Sequence, residues 1–253
     1  MSQITYREAL RMALQESMRE DSTIIVMGED VGLYGGAYGV TKGMIEEFGE
    51  KRILDTPISE EGIVGCAVGS AMTGLRPVVE LMYVDFVMLA MDQLANQAAK
   101  IRYMFGGQIS VPMVMRAQGG TGRSGAAQHS QSLEAWMMHT PGLNLAMPAT
   151  VNDAYLLLKH ALKLSDPVVF IEHKMLYTLK GDLNKSESIS WGQAAILRSG
   201  SDFTLVTYSR MVHRALEAAE RLAELGIQAE VIDLRTLYPL DTETINSSVK
   251  KTG

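Results

Sequence analysis

Thr150-Val-Asn-Asp-Ala-Tyr-Leu-Leu-Leu-Lys-His-Ala-Leu-Lys-Leu-Ser-Asp-Pro-Val-Val-Phe-Ile-Glu172 decides the fold class. In its first half Ala154, Leu157, Leu158, Ala161 and Leu162 fall on one face at helical spacing, and Thr150 stands where an N-cap belongs. After Asp166 the pattern changes. Val168 to Ile171 is continuously apolar over a length too short for a helix. It reads as a strand buried on both faces. Such strands, separated by helices, belong to parallel sheets.

The same alternation runs outward in both directions. Towards the N-terminus the strands are Pro112–Arg116, Pro77–Met82, Ile53-Leu54 and Thr23–Met27, with a further one at Leu143–Met147. Between them lie helical segments at Phe86–Tyr103, Gly62–Thr73, Met44–Phe48 and Leu133–Met138. Thr5 and Glu8 have capping-box spacing and open a first helix through about Arg19. The reading is α/β: one parallel sheet with helices on both faces, spanning residues 1–175. Polar residues 176–192, with Lys180-Gly-Asp and Asn184-Lys-Ser-Glu-Ser, read as a linker with little regular structure. Residues 193–253 start a second α/β unit: a strand from Phe203, an amphipathic helix over Val212–Leu222 ended by Gly226, and a strand over Ile227–Asp233. One βαβ unit buries its own faces poorly, so this second domain is expected to be incomplete.

Composition excludes several function classes. The chain has 253 residues and a formal charge of -6, and its basic residues form no runs. It therefore offers no electrostatic footprint for nucleic acid or an anionic membrane. The longest uncharged run, Gly62–Leu75, is too short to span a bilayer and reads as a buried helix. The single cysteine, Cys66, lies in that run and is expected to be a small core residue. With no internal disulfide available and no leader pattern over Met1–Glu8, the expected location is the cytosol, or the mitochondrial matrix after removal of a transit peptide.

Chemistry is sought in the loops that follow the strands. Gly120-Thr-Gly122-Arg-Ser-Gly125 matches a dinucleotide fingerprint in spacing, but it does not lead straight into a helix and no acidic residue ends the next strand. No Gly-x-Ser-x-Gly elbow and no zinc-type histidine pair occurs, which weighs against serine and metal hydrolysis. His129, in Ala126-Ala-Gln-His-Ser-Gln-Ser132, is either an exposed proton carrier or a loop histidine bonded to backbone. Glu60 and Glu61 precede the glycine-rich helix. A first-turn carboxylate facing the positive helix end accounts for one of them and leaves the other free for function. Gly62, Gly65 and Gly69 share a face, so a helix, a second subunit or a ligand approaches closely there.

Several segments together resemble one family. Gly28-Glu-Asp-Val31, Gly35-Gly-Ala-Tyr38, Asp55-Thr-Pro-Ile-Ser-Glu60, Gly74-Leu-Arg-Pro77, Ala126-Ala-Gln-His-Ser-Gln131 and Pro141-Gly-Leu143 are similar, in order, to the beta subunit of the dehydrogenase component of 2-oxo-acid dehydrogenase complexes. The acetoin dehydrogenase beta subunit shares them. The resemblance implies a thiamine-diphosphate pyrimidine-binding domain followed by a transketolase C-terminal-like domain. It implies an alpha subunit, two alpha with two beta, that holds most of the diphosphate and Mg2+. The alpha-chain Gly-Asp-Gly signature is missing from this sequence.

Residue by residue, the resemblance makes Glu60 the carboxylate on the aminopyrimidine ring nitrogen and Glu29 a more peripheral acid. Ile58 and Phe86 become apolar contacts to that ring, and His129 the histidine at the active-site mouth. The implied reaction is oxidative decarboxylation of pyruvate or a related 2-oxo acid, with acyl transfer to the lipoyl group of an acyltransferase component. An acetoin enzyme and a catalytically silent alpha-binding module are the alternatives. Some relatives hold a structural K+ through backbone carbonyls, at positions that fall on Met113, Ala161, Leu164 and Asp166. Carbonyl ligands leave no side-chain signature, so the ion is not assigned.

Overall fold

The structure is a computed structural model describing residues 3–252. Its strands are β1 (Ile4–Thr5), β2 (Ile24–Gly28), β3 (Ile53–Asp55), β4 (Arg76–Leu81), β5 (Val114–Gly119), β6 (Asn144–Ala146), β7 (Val168–His173), β8 (Lys180–Gly181), β9 (Ala195–Arg198), β10 (Phe203–Thr207), β11 (Ala229–Asp233) and β12 (Thr236–Tyr238). Its α-helices are α1 (Tyr6–Glu20), α2 (Met44–Phe48), α3 (Glu60–Met72), α4 (Val87–Asp92), α5 (Ala99–Met104), α6 (Glu134–Met138), α7 (Val151–Ala161), α8 (Met211–Glu224) and α9 (Thr242–Thr252). A π-helical turn, Gln93–Ala98, joins α4 to α5. Both expected caps form. Thr5 and Glu8 make a reciprocal capping box, and the Thr150 hydroxyl accepts from the Asp153 N–H at 3.0 Å.

The main sheet runs β12-β6-β7-β5-β4-β2-β3, parallel throughout except for β12. Its two faces carry separate apolar layers. Leu10 and Leu14 of α1, Met44 of α2 and Leu157 and Leu158 of α7 pack with Val26, Val78, Val114 and Phe170. On the other face Val64 and Val68 of α3, Val87, Leu94, Ile101 and Met137 pack with Val79, Met115, Val169 and Ile171. The alternation within each strand, Val78 to one face and Val79 to the other, explains why the strand sequences are continuously apolar.

The segment read as a linker does contain regular structure. Lys180 and Gly181 pair antiparallel with Ile4 and Thr5. The second unit also holds more than one βαβ motif. β9 lines the free side of β11 antiparallel, giving the order β10-β11-β9, while β12 crosses over to edge the main sheet against β6. β9 is four residues long and half exposed, too short to show a periodicity of its own.

Two expectations about α3 need correction. Cys66 is exposed, not a core residue. The helix is not buried all round: Ile63, Val64, Ala67, Val68 and Ala71 are covered, whereas Glu61, Gly62, Cys66 and Gly69 are open. Alanine and cysteine read alike as small apolar residues, so the sequence did not show which side the sheet takes. A Cβ on Gly69 would meet nothing within 4 Å, whereas one on Gly65 would meet Gln93 at 3.5 Å and one on Gly62 the Ser59 hydroxyl at 2.9 Å, so among the described residues the face is open at its Gly69 end.

A buried polar junction joins the two units. Asp153 of α7 faces the Arg235 guanidinium at 2.8 Å, and Asp233 lies beside them with one carboxylate oxygen unpartnered. Burial first, and the neighbouring Asp153 second, push the Asp233 carboxyl up to about 7. A carboxyl with a raised folded pKa contributes its full stability below its unfolded value of 3.8 and loses it as pH rises towards 7. Asp233→Asn should therefore leave stability nearly unchanged at pH 4 and raise it at pH 8, by up to about 4 kcal/mol. Calorimetric melts of both proteins across that range check this. An equal shift at both ends would remove the assigned titration.

Candidate active site

The order of the strands says where a ligand fits. From β2 the chain turns to β3 by way of α2 on one face. From β4 it turns to β5 by way of α4 and α5 on the other. β2 and β4 are neighbours, so the loops leaving their carboxyl ends diverge and open a crevice between them. Open α/β sheets bind ligands at such a point. Glu29 follows β2 directly, and Tyr83, Asp85 and Phe86 follow β4. Glu60 begins α3 just after β3, and His129 lies in the loop after β5. The residues singled out in the sequence thus share one edge of the sheet.

Two acids sit together there. Glu60 is 5% exposed and Glu29 7%, and among the described residues neither carboxylate makes a hydrogen bond or ion pair. Burial, then Glu60, then Asp30, raise the Glu29 carboxyl above its ordinary range. Glu60 occupies the first turn of α3, where free backbone N–H groups favour negative charge. The oxygens of these two acids are not fully enclosed, so they open into the crevice, where water or a ligand can satisfy them. Ile58, by contrast, is 82% exposed on the loop before Glu60.

On the other side is an aromatic wall. The His129 ring lies edge-on to Tyr83 at 4.9 Å and to Phe86 at 5.4 Å, and Tyr83 and Phe86 meet at 6.0 Å. Tyr38, from the glycine-rich loop after β2, touches Tyr83 at 6.3 Å and stacks on Tyr177 at 4.5 Å. The loop bearing His129 is held by Lys174, whose ammonium donates to the His129 carbonyl and lies 4.7 Å from the Tyr83 ring centre. Asp85 accepts from the Gln131 N–H at 3.0 Å and keeps its other oxygen unpartnered. Ser124 and Ala126 both hold positive φ in this loop, a strain typical of functional loops. His129 is therefore half-buried and ring-packed rather than freely exposed.

Behind the crevice lies a charged cluster that the sequence reading did not single out. Arg116 is fully buried, bonded to both oxygens of Glu172 at 2.7 Å and to Glu80 at 2.7 Å. Burial opposes the guanidinium charge, but Glu172 and Glu80 outweigh it and push its pKa up. The Tyr177 hydroxyl completes the set by donating to Glu172 at 2.5 Å. The available signal was one charge inside each of three apolar strands. Lys174, Tyr38, Tyr83 and Arg123 were also missed, because each is an ordinary residue type until the fold brings it to the edge.

The residues present fit one half of a thiamine cofactor. An unpartnered buried carboxylate suits a proton-sharing ring nitrogen, and the Phe86–Tyr83 wall suits a flat heterocycle. Among the described residues no group of three acids, histidines or cysteines is placed to hold a metal. At the positions matched to K+, the Leu164 carbonyl already accepts from Arg76 at 2.9 Å, Met113 accepts from Val168 at 2.9 Å, and Ala161 accepts from Leu164 at 3.2 Å. The cation this structure places on the Leu164 carbonyl is a guanidinium.

Comparison with known proteins agrees with this layout. The sequence matches the transketolase pyrimidine-binding domain over residues 2–180 and the transketolase C-terminal domain over residues 192–253. It is 51% identical over 252 residues to the pyruvate dehydrogenase E1 component subunit beta of Rickettsia conorii, covering 99% of this chain and 77% of that one. It is 47% identical over 255 residues to the 2-oxoisovalerate dehydrogenase subunit beta of Bacillus subtilis, covering 100% and 78%. The beta subunit of the acetoin:2,6-dichlorophenolindophenol oxidoreductase of Cupriavidus necator is 46% identical, covering 99% and 77%. A solved split-gene transketolase, an inactive beta4 tetramer, superposes with a TM-score of 0.83 at 24% identity over 99% of this chain and 77% of that one, which bears on fold alone. No helix among the described residues is long and apolar enough to cross a membrane. By these matches the chain belongs to the family of E1-component beta subunits found in pyruvate, 2-oxoisovalerate and acetoin dehydrogenases.

Proposed function

We propose that this chain is the beta half of a thiamine-diphosphate-dependent dehydrogenase that oxidatively decarboxylates a 2-oxo acid, pyruvate first. The observation that carries it is the buried Glu60 beside Glu29 at the strand-edge crevice, making no hydrogen bond or ion pair among the described residues. When bound, thiamine diphosphate supplies the electron sink for breaking the bond beside the 2-oxo group. Glu60 holds a proton at the aminopyrimidine ring nitrogen. Glu29, its carboxyl raised by burial and then by Glu60, stands beside that pocket as a second, more peripheral acid. Phe86 and Tyr83 wall the ring and exclude water, and Ile58 covers it from the side that an alpha chain closes. His129, fixed by Lys174 and the two rings, handles a proton at the mouth as the acyl group passes to a lipoyl arm of the acyltransferase component. The working assembly is two alpha with two beta, with Mg2+ and the diphosphate held mainly by alpha, in the bacterial cytoplasm or the mitochondrial matrix.

The test is co-expression with an alpha chain carrying Gly-Asp-Gly and assay of pyruvate, branched 2-oxo acids and acetoin with an artificial electron acceptor. Pyruvate should lead the branched acids in kcat/KM by about tenfold, the discrimination expected for one or two methylenes in an apolar pocket. Acetoin turnover without 2-oxo-acid turnover would replace this reading with the acetoin enzyme. A well-assembled, loaded complex that turns over none of them would leave only the silent binding module.

A further inference from the structure

His129 and Tyr83 of the aromatic wall also border a cleft. It has a volume of about 340 Å³ and is lined by Tyr38, Tyr83, Arg123, Gly125, His129 and Lys174. Two of those six residues are cations and none is an acid. That is unusual for a chain of net charge -6. Lys174 is only 2% exposed, and no carboxylate forms an ion pair with it among the described residues. Its recorded bond goes to the His129 carbonyl, and an ammonium has three N–H groups to satisfy. The nearby Asp85 acts on it electrostatically without pairing, and spends one oxygen on Gln131. Arg123 lies over the Tyr38 ring with its carbon 5.3 Å from the ring centre, so its exposed guanidinium is aimed by stacking rather than by a counter-ion. Next in the chain to Lys174, burial first, then Arg210 and Lys174, push the His173 imidazole down to about 4. A buried ammonium without a carboxylate is expensive to keep unless an anion visits it.

We propose that this cleft is an anion vestibule, in which Arg123 and Lys174 take up the carboxylate of the incoming 2-oxo acid next to His129. This rests on the 2-oxo-acid reading and adds the residues that recognise the acid's charge. The cleft shares His129 and Tyr83 with the aromatic wall of the crevice, so it serves arrival at the site. Strong pairing at the reacting position would hold back loss of the carboxylate. Cations at an antechamber instead raise the local concentration of the anion, an effect that weakens with salt.

The probe is oxamate, a charged isostere of pyruvate with no ketone to react, compared with methyl oxamate, its uncharged ester. Binding is measured by calorimetry on the alpha–beta complex at low and high salt. The wild type should prefer oxamate, and salt should reduce that preference. Arg123→Gln, an exposed change, should lower oxamate affinity about tenfold and leave methyl oxamate unaffected, the size expected for one partly solvated charge pair. In steady-state assays it should lower kcat/KM for the 2-oxo acid with kcat retained. Lys174→Met should weaken oxamate further, and here calorimetry is the deciding readout because Lys174 also anchors the His129 loop. Oxamate affinity unchanged in both variants, or oxamate and its ester weakened equally, overturns the vestibule. Arg123-dependent oxamate binding in a complex that decarboxylates nothing would support the vestibule and sink the functional reading. Normal decarboxylation with oxamate binding indifferent to both variants would do the reverse.

Discussion

Glu60→Gln in the alpha–beta complex should lower decarboxylation with an artificial electron acceptor by about two to four orders of magnitude, the range of a lost acid–base group. The change is nearly isosteric. Glu60 makes no hydrogen bond or ion pair within the described residues, so the fold loses no partner when the charge goes. What goes is a group able to share a proton with a ring nitrogen; an amide cannot hold that proton. The same variant has a second readout independent of turnover. Glu60 is one of the causes that raise the Glu29 carboxyl, after burial itself. Removing it should bring Glu29 back towards its ordinary range, although burial and Asp30 still act. Since a raised acid costs stability above its unfolded pKa, the variant should be as stable as wild type or slightly more so at neutral pH. A titration of the Glu29 carboxyl by NMR, beside the rate assay, separates the cases. Full activity removes Glu60 from the chemistry. Lost activity with a destabilised, unassembled chain would mean a structural role instead.

The fold and the candidate site were legible in the sequence to different depths. Strand and helix positions were read well where burial is two-sided, as in Val168–Ile171, because apolar continuity over so few residues leaves few other structures open. α3 was read as a helix, but which of its faces is covered was not. Alanine, glycine and cysteine differ too little in size and polarity to mark a face, and the open side carries Gly62, Cys66 and Gly69. β9 and β12 escaped because strand pairing is a property of the partner. Thr236–Tyr238 becomes a strand by docking on Leu145 and Ala146, some ninety residues away. At the site, Glu29, Glu60 and His129 were reached through their motifs and Phe86 through the resemblance as a whole, and the crevice between β2 and β4 brings their loops to one edge. Their neighbours Tyr83 and Lys174 carried no local pattern, and Tyr38 and Arg123, though inside quoted motifs, were not singled out. A lysine is a surface residue in sequence, and only the packing of β7 against β5 makes this one buried.

Arg116→Met should cost about 3–5 kcal/mol of stability at neutral pH, the range for removing one member of a buried ion set. Arg116 has no exposure, and its guanidinium bonds Glu172 through two N–H groups and Glu80 through a third. Methionine fills much of the volume, so the loss is electrical rather than a cavity. Two carboxylates would remain on β4 and β7, the strands either side of β5, with no counter-charge, and Glu172, already raised by burial, would rise further. The folded pKa of Glu172 then lies above the unfolded one, so the stability it contributes is full below about pH 4 and falls as pH rises. The destabilisation should therefore be small at pH 4 and largest above pH 7, because the carboxylate left behind is neutral at the acid end and charged at the other. Urea unfolding followed through Trp136 and Trp191 at both pH values reads this directly. A penalty independent of pH would point to packing instead. The combined change Glu80→Gln, Arg116→Met and Glu172→Gln should recover most of the loss, since no buried charge is left unpaired. It should not recover the site. Glu80 also accepts from the Ala37 N–H at 3.2 Å, and Glu172 accepts from Tyr177, on which Tyr38 stacks. The cluster thus holds the loop that carries Tyr38 into the wall beside His129, and a stable triple variant with a loosened wall would show that its charges serve the site more than the fold.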